Sequence, residues 1–158
     1  MGLFTPLAVR LGAQPWLPRL LPQVVAVDTR LQRATRGRVS LLDLAGLPNL
    51  MLTVPGRRSG LPRSVPLLCV PDGGGWLVAG SNFGGPVVPA WVHNLRAAGT
   101  ATIHVRGRET RVRAVELAGE ERAEAWATML ATWPNYAHYE ARTERLIPVV
   151  RLIPKTPG

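Results

Sequence analysis

The sequence predicts a mostly β protein, about six antiparallel strands closed into a barrel with helices at its periphery. Three observations predict it. Sixteen Gly and fifteen Pro are spread along the 158 residues rather than clustered, as many turns and short strands require. The elements read in the order α-β-β-β-α-β-β-α-α-β. The links between successive strands are short, which favours antiparallel hairpins over a doubly wound parallel sheet.

Residues 20–38 read as a basic amphipathic helix, with Leu20, Val24, Val27, Leu31 and Ala34 at helical spacing and Arg30, Arg33, Arg36 and Arg38 supplying charge. After Gly46-Leu47-Pro48 the pattern becomes extended. Leu50–Val54 and Arg63–Val70 read as strands, Pro71–Gly75 as a turn, and Trp76–Gly80 as a third strand. Pro89–Ala98 has Pro early and Gly99 at its end, the punctuation of a helix. Thr100–Val105 and Thr110–Leu117 form a hairpin about Arg106–Glu109, with Val112 and Ala114 facing one way and Arg111 and Arg113 the other. Residues 119–132 open with Glu120 and Glu121, suited to a helix N-terminus. Asn135–Thr143 resumes helix after Pro134, and Ile147–Ile153 is the closing strand. The division expected is an N-terminal extension over 1–47 and a barrel domain over 48–158.

Hydrophobic residues make up 46% of the chain and charged ones 18%, a composition that folds into one core and excludes disorder. The net charge of +9 is uneven: residues 1–70 carry nine Arg against Asp28 and Asp43, a net of +7. Such an excess suits nucleic acid, an acidic membrane surface or an anionic cofactor. No zinc-finger spacing, basic zipper or RNP-type aromatic pair is present, so no nucleic-acid partner is expected. Cys69 is the single cysteine and sits in an apolar run, which reads as a small buried core residue. His93, His104 and His138 are not closely paired, so no protein metal site is expected. The N-terminus is broken by Arg10, Pro15, Pro18, Arg19 and Pro22 and offers no uninterrupted apolar span. A cytoplasmic protein is the expectation. The basic helix, helped by Leu3, Phe4, Trp16 and Leu17, either lies across the barrel or docks on the inner face of an anionic bilayer.

Four segments carry polar or aromatic groups where strands end. Gly56-Arg57-Arg58-Ser59-Gly60-Leu61-Pro62-Arg63 joins the first two strands; its glycines admit close backbone approach and its arginines suit phosphate or carboxylate oxygens. Lacking the glycine spacing and terminal Lys, it is not a P-loop. Ala79-Gly80-Ser81-Asn82-Phe83-Gly84-Gly85 leaves the third strand with small residues that suit a flat ring. Pro89-Ala90-Trp91-Val92-His93-Asn94-Leu95 puts Trp91 and Asn94 on one helix face. Trp133-Pro134-Asn135-Tyr136-Ala137-His138-Tyr139 spaces three aromatics at three residues. Each segment alone also has a plain reading as a surface turn, a glycine-rich loop or a core stripe.

Taken together and in order, these segments resemble the deazaflavin-dependent nitroreductase family, a branch of the split β-barrel flavin and deazaflavin oxidoreductases. Thr53–Arg63 is similar to that family's glycine–arginine signature. Pro66-Leu67, Ala79–Asn82, Pro89-x-Trp91-x-x-Asn94-Leu95, Trp133-Pro134-x-Tyr136-x-x-Tyr139 and Arg145-x-Ile147-Pro148 continue the match over roughly residues 48–154. The resemblance implies a split β-barrel and an enzyme in which reduced coenzyme F420 passes a hydride to a conjugated apolar acceptor, such as a quinone or a nitro or enone compound. It implies that Arg57, Arg58, Ser59 and Arg63 hold the cofactor's phosphate and acidic tail. Ser64, Val65, Pro66, Leu67 and Leu68, with Ala79, Gly80, Ser81 and Asn82, would line the deazaflavin, flanked by Ala90, Trp91, Val92, His93 and Asn94. Tyr136 would face cofactor and acceptor; Trp133 and Tyr139 would complete the acceptor wall, with Ser81, Tyr136 and Tyr139 nearest the chemistry. Asn82 and Trp133 depart from nitroreducing relatives that carry Lys and Tyr there, so nitroimidazole reduction does not follow. An FMN-dependent split-barrel reductase and a non-catalytic deazaflavin or haem binder remain alternatives, and the oligomeric state is open.

Overall fold

The computed structural model describes Pro6, Arg10, Ala13, Gln14, residues 17–35, Asp43 and residues 46–156. Helix α1 spans Leu17–Ala34. Four strands follow, β1 (Asn49–Pro55), β2 (Pro62–Leu68), β3 (Val70–Asp72) and β4 (Gly75–Ala79), then a 3-10 turn over Asn82–Gly84 and helix α2 (Ala90–Ala98). The hairpin β5 (Thr100–Val105) and β6 (Arg108–Glu116) leads to α3 (Gly119–Thr132), α4 (Tyr136–Ala141) and β7 (Val149–Pro154). All pairings are antiparallel, in the order β2-β1-β5-β6-β7-β4-β3. The mostly β, antiparallel expectation is borne out, with seven strands in place of six.

The extra strand arises at Cys69, inside what the sequence reads as one strand. The Cys69 amide leaves the ladder and donates to the Pro48 carbonyl at 3.0 Å. β2 before it pairs along its whole length with β1, whereas β3 after it pairs with β4. The two strands at opposite ends of the sheet are thus separated by one residue, and the sheet curls into a half-barrel so that they meet.

The β5–β6 hairpin also differs from the four-residue turn expected. Val105 pairs with Arg108, leaving a two-residue turn of Arg106 and Gly107, both left-handed at φ 48° and 78°. That geometry matches the twist of the flanking strands. The predicted alternation holds: Val112 is buried and Ala114 packs on the core, while Arg111 and Arg113 face solvent.

Two apolar cores divide the chain. Six strands point Leu50, Leu52, Val65, Val78, Ile103, Val112, Val150 and Leu152 into the concave side, where α2 plugs the barrel with Trp91, Val92 and Leu95. On the convex side Val70, Leu77, Ala79 and Val149 meet Trp126 and Met129 of α3, Tyr136 and Tyr139 of α4, and Trp133 between them. β4 and β7 are consequently packed on both faces, which is why β4 reads as an unbroken apolar run and β7 is interrupted only by Arg151, which pairs with Asp72 and Glu121. Each such Leu or Val contributes about 1.5–3 kcal/mol on burial.

α1 packs against β2, with Asp28 buried and Leu31 half-buried, so it does lie on the barrel, yet part of its apolar stripe is left uncovered. Leu20, Val24 and Val27 are 42%, 40% and 53% exposed. Leu3, Phe4, Trp16, Arg36 and Arg38, named with this helix, lie outside the described residues. No helix among the described residues is long and apolar enough to cross a membrane.

Candidate functional site

A cavity of about 470 Å³ opens at the barrel mouth between the β1–β2 turn and the N-terminal end of α2. Gly56, Arg57, Arg58 and Ser59 of the turn, Arg63, Ser64 and Val65 of β2, and Ala90, Trp91 and Asn94 of α2 line it. The turn is tight because its own backbone closes it. Gly56 N–H donates to the Leu61 carbonyl at 2.9 Å and Gly60 N–H to the Gly56 carbonyl at 2.8 Å, with Gly60 left-handed at φ 70°. The Leu61 amide reaches Ser59 Oγ at 3.2 Å. Ser59 therefore accepts within the turn and keeps its own O–H to donate.

Asn94 docks this turn onto the helix. Its buried Oδ1 accepts from the Arg57 backbone N–H at 3.1 Å and from Arg57 Nη1 at 3.2 Å. Ser64 Oγ lies 2.8 Å from Thr53 Oγ1 across the β1–β2 ladder. Arg57, Arg58 and Arg63 are exposed and make no ion pair among the described residues. The three arginines line the same cavity as Ala90 and Trp91 of the first turn of α2, whose helix dipole adds positive potential. The arrangement is built for an anion.

Nine of the residues singled out from the sequence thus come together: Arg57, Arg58, Ser59, Arg63, Ser64, Val65, Ala90, Trp91 and Asn94. Pro66, Leu67 and Leu68 continue along β2, half-buried, away from the cavity. Val92 is turned into the barrel core, where it packs so close to Gly80 that a Cβ there would lie 2.7 Å from Val92 Cγ2. His93 is half-buried on α2 and does not line the cavity. Gly56 also lines it, as expected of a glycine that admits close backbone approach.

The ring-side segment forms a separate group. Ala79, Gly80 and Ser81 are buried where β4 ends, and Asn82 is exposed. Asn82 and Phe83 are left-handed at φ 44° and 53°, followed by Gly84 at φ 79°. Left-handed backbone costs an L residue about 1–2 kcal/mol, so something must hold this run. Arg145, whose role the sequence did not reveal, supplies donors to three of its carbonyls, at Gly80, Ser81 and Gly85, each at 3.0 Å.

The expected acceptor wall is packed into the convex core and does not line the cavity. Trp133, Tyr136 and Tyr139 are all less than a tenth exposed. Trp133 Nε1–H donates to Tyr139 Oη at 3.2 Å. Tyr136 stacks tilted on Trp126 with ring centroids 5.3 Å apart and meets Tyr139 edge-on at 5.9 Å. Phe83 leans on Tyr139 at 5.2 Å, and the Arg142 guanidinium lies 5.8 Å from the same ring. Arg142 also donates to the Ala13 carbonyl at 2.8 Å, drawing the N-terminal segment to this edge. Burial pushes the Tyr136 phenol well above its usual range, with Tyr139 and Cys69 adding to the effect. Burial also raises Tyr139, against a hydrogen bond from Trp133 and the charge of Arg142. Both phenols hold their protons at neutral pH.

A curled antiparallel sheet with a cationic cavity at a helix N-terminus defines a split-barrel protein built for an anionic coenzyme. The profile of the F420H(2)-dependent quinone reductase family matches residues 24–154, and the chain belongs to that family. It is 32% identical over 141 residues to an F420H(2)-dependent quinone reductase of Mycobacterium tuberculosis, covering 87% of this chain and 95% of that one. Among solved structures it resembles an F420-H2 dependent reductase, FDR-A, at 35% identity and a TM-score of 0.62, covering 66% of this chain and 93% of that one. A structure described as a domain-swapped dimer matches at 32% identity and a TM-score of 0.65, covering 80% and 96%. The family resemblance, the oxidoreductase class and coenzyme F420 are borne out.

Proposed function

We infer that this chain is an F420-dependent reductase whose acceptor is a conjugated, apolar, quinone-type molecule. The observation that carries the cofactor half is the cavity at the α2 N-terminus with Arg57, Arg58 and Arg63 around it and no acid paired to them among the described residues. These residues fit a phosphate and an acidic tail: planar guanidinium forks suit such oxygens, and Ser59 keeps a donor. When bound, reduced F420 supplies the hydride. The protein's contribution is to bind, to orient and to exclude water. Asn94 orients the turn that carries the arginines. Ser81, at the end of β4, offers a hydroxyl beside the ring-side loop, while Tyr136 and Tyr139 pack as neutral phenols in the convex core behind it.

Titrating the pure protein with F420 and with FMN, followed by fluorescence, tests this reading. Preference for F420, with the affinity falling in Arg58→Ala and Arg63→Ala, supports it; preference for FMN overturns the cofactor assignment. A panel of quinones and nitroarenes, read by oxidation of reduced F420, tests the acceptor class. Tight F420 binding with no oxidation by any acceptor favours a storage or sensing role.

A peripheral position on an anionic membrane is supported by α1. Its Leu20, Val24 and Val27 are exposed on the same helix as exposed Arg19, Arg30 and Arg33. An apolar stripe flanked by guanidinium groups suits the headgroup boundary and shortens the path to a lipid-soluble quinone. Association with anionic vesicles that is lost in Val24→Glu/Val27→Glu supports this; equal association of both proteins counts against it.

A further inference from the structure

We propose that Arg145 is the positioning residue for hydride transfer: its guanidinium holds the strained loop between Ser81 and Gly85, and the ring side of the site takes its shape from that hold. This rests on the F420-dependent reading above. Arg145 follows α4, in the link to β7, about sixty residues from the loop it serves. Nη2 donates to the carbonyls of Gly80 and Ser81 and Nε to that of Gly85, all at 3.0 Å, so one planar group ties the entry and exit of the loop together. Between those ends Asn82, Phe83 and Gly84 are all left-handed, an arrangement L residues adopt only when their surroundings impose it.

The loop's own bonds are few. Gly84 N–H reaches the Ser81 carbonyl at 2.9 Å, Gly85 N–H the Asn82 carbonyl at 2.8 Å, and Asn82 Nδ2 the Val87 carbonyl at 3.3 Å. Its far side is packed on α4: Phe83 lies against Tyr139, and a Cβ on Gly84 would meet the Tyr139 carbonyl. Arg142 Nη1 donates to the Phe83 carbonyl at 3.4 Å and keeps the middle of the loop on α4, so releasing Arg145 frees the three end carbonyls and lets the Ser81 hydroxyl shift relative to that anchored middle. The anion clamp is on other elements, the β1–β2 turn and α2, and is tied by Asn94 instead. Losing Arg145 thus separates two quantities that a general loss of structure would lower together.

A second observation singles out arginine. Nη1 is buried and has no partner among the described residues, so the guanidinium keeps donor capacity at the loop after satisfying three carbonyls. A lysine brings one nitrogen to the same place and cannot reach carbonyls at both ends of the loop in the same fixed plane.

The test compares wild type with Arg145→Gln and Arg145→Lys in the full chain. Amide hydrogen exchange reads Gly84 and Gly85, fluorescence titration reads the F420 dissociation constant, and a water-soluble naphthoquinone reads turnover of reduced F420. In Arg145→Gln the two amides are expected to exchange at least about tenfold faster. F420 affinity should stay within about threefold of wild type while kcat with the naphthoquinone falls by more than about tenfold. Arg145→Lys should recover part of kcat. Unchanged exchange overturns the proposal, as does a loosened loop with unchanged kcat. A parallel loss of melting temperature, F420 affinity and kcat overturns it in favour of a purely structural arginine. If wild type fails to oxidise reduced F420 with any quinone, the functional reading fails instead, and the exchange data alone decide whether Arg145 holds the loop.

Discussion

Asn94 Oδ1 accepts two hydrogen bonds from Arg57, one from the backbone N–H at 3.1 Å and one from Nη1 at 3.2 Å, across 37 residues of sequence. One buried side chain thereby fixes both the path of the arginine turn and the direction of its first guanidinium. Asn94→Ala should strand the Arg57 amide and cost about 1–3 kcal/mol, with weaker F420 binding from a loosened turn. Asn94→Asp should keep the turn, since a carboxylate accepts the same two bonds, yet weaken F420 binding by placing negative charge beside the anion site. Denaturant unfolding and F420 titration together check this; equal affinity of the Asp variant and wild type would refute the assignment of the cavity to an anion.

The clamp arginines are exposed and surrounded by solvent, so their attraction for an anion is screened by salt. Binding of F420 should weaken as ionic strength rises. In Arg58→Ala/Arg63→Ala that dependence should flatten and the affinity at low salt should fall by about tenfold or more. Stability should change by no more than about 0.5 kcal/mol, since neither group is paired with an acid. A salt series of F420 titrations on both proteins measures all but the last, which thermal melts supply.

Gly84 combines a left-handed φ of 79° with a backbone that crowds it: an added Cβ would meet the Tyr139 carbonyl and would lie 2.8 Å from Arg142 Cβ. Backbone cannot move aside as a side-chain tip can. Gly84→Ala should therefore destabilise by roughly 2–3 kcal/mol and lower the melting temperature. A melting temperature equal to wild type would mean that the loop and α4 are not in close register.

Cys69 lies buried where β2 turns into β3, and burial pushes its thiol up to about 12, with Asp43 adding to the rise and Arg106 opposing it. A thiol whose pKa rises on folding stabilises the native state fully below its unfolded value and loses that contribution as pH climbs. The loss should run from about pH 8.5 up to pH 12. At pH 8 the thiol should resist alkylation in the native protein and react readily in denaturant. Rapid native labelling would show that the β2–β3 junction opens.

Much of the fold was legible because the strands alternate or run apolar at the right length, and because Gly99 and the early Glu120 and Glu121 mark helix ends. The break at Cys69 was not legible. Val65–Val70 is continuously apolar, and no turn residue announces that the chain leaves one edge of the sheet for the other. The arginine turn was readable because two glycines and three arginines between strands have few uses besides an anion. The phase of Trp133, Tyr136 and Tyr139 showed that they share a face, but periodicity does not say whether a face meets a core or a ligand. Arg145 falls within a motif but shows no role there, since its partners are backbone carbonyls 60 to 65 residues away, which no local pattern encodes. The stripe on α1 was visible too, but what covers it is not written in its spacing.

The place of β7 has a consequence for how the chain reaches this structure. β7 follows all the other strands in the sequence, yet it lies between β6 and β4 and pairs with both, Leu152 standing opposite Ala114 on one side and Trp76 on the other. The β1–β2, β3–β4 and β5–β6 hairpins can each form early from local contacts. The half-barrel can close only when β7 arrives to bridge them, with loop-closure entropy to overcome on the β4 side. Folding should therefore be slow for a chain of this size, governed by high contact order, and the unbridged edges of β4 and β6 are where two copies would first be able to exchange strands.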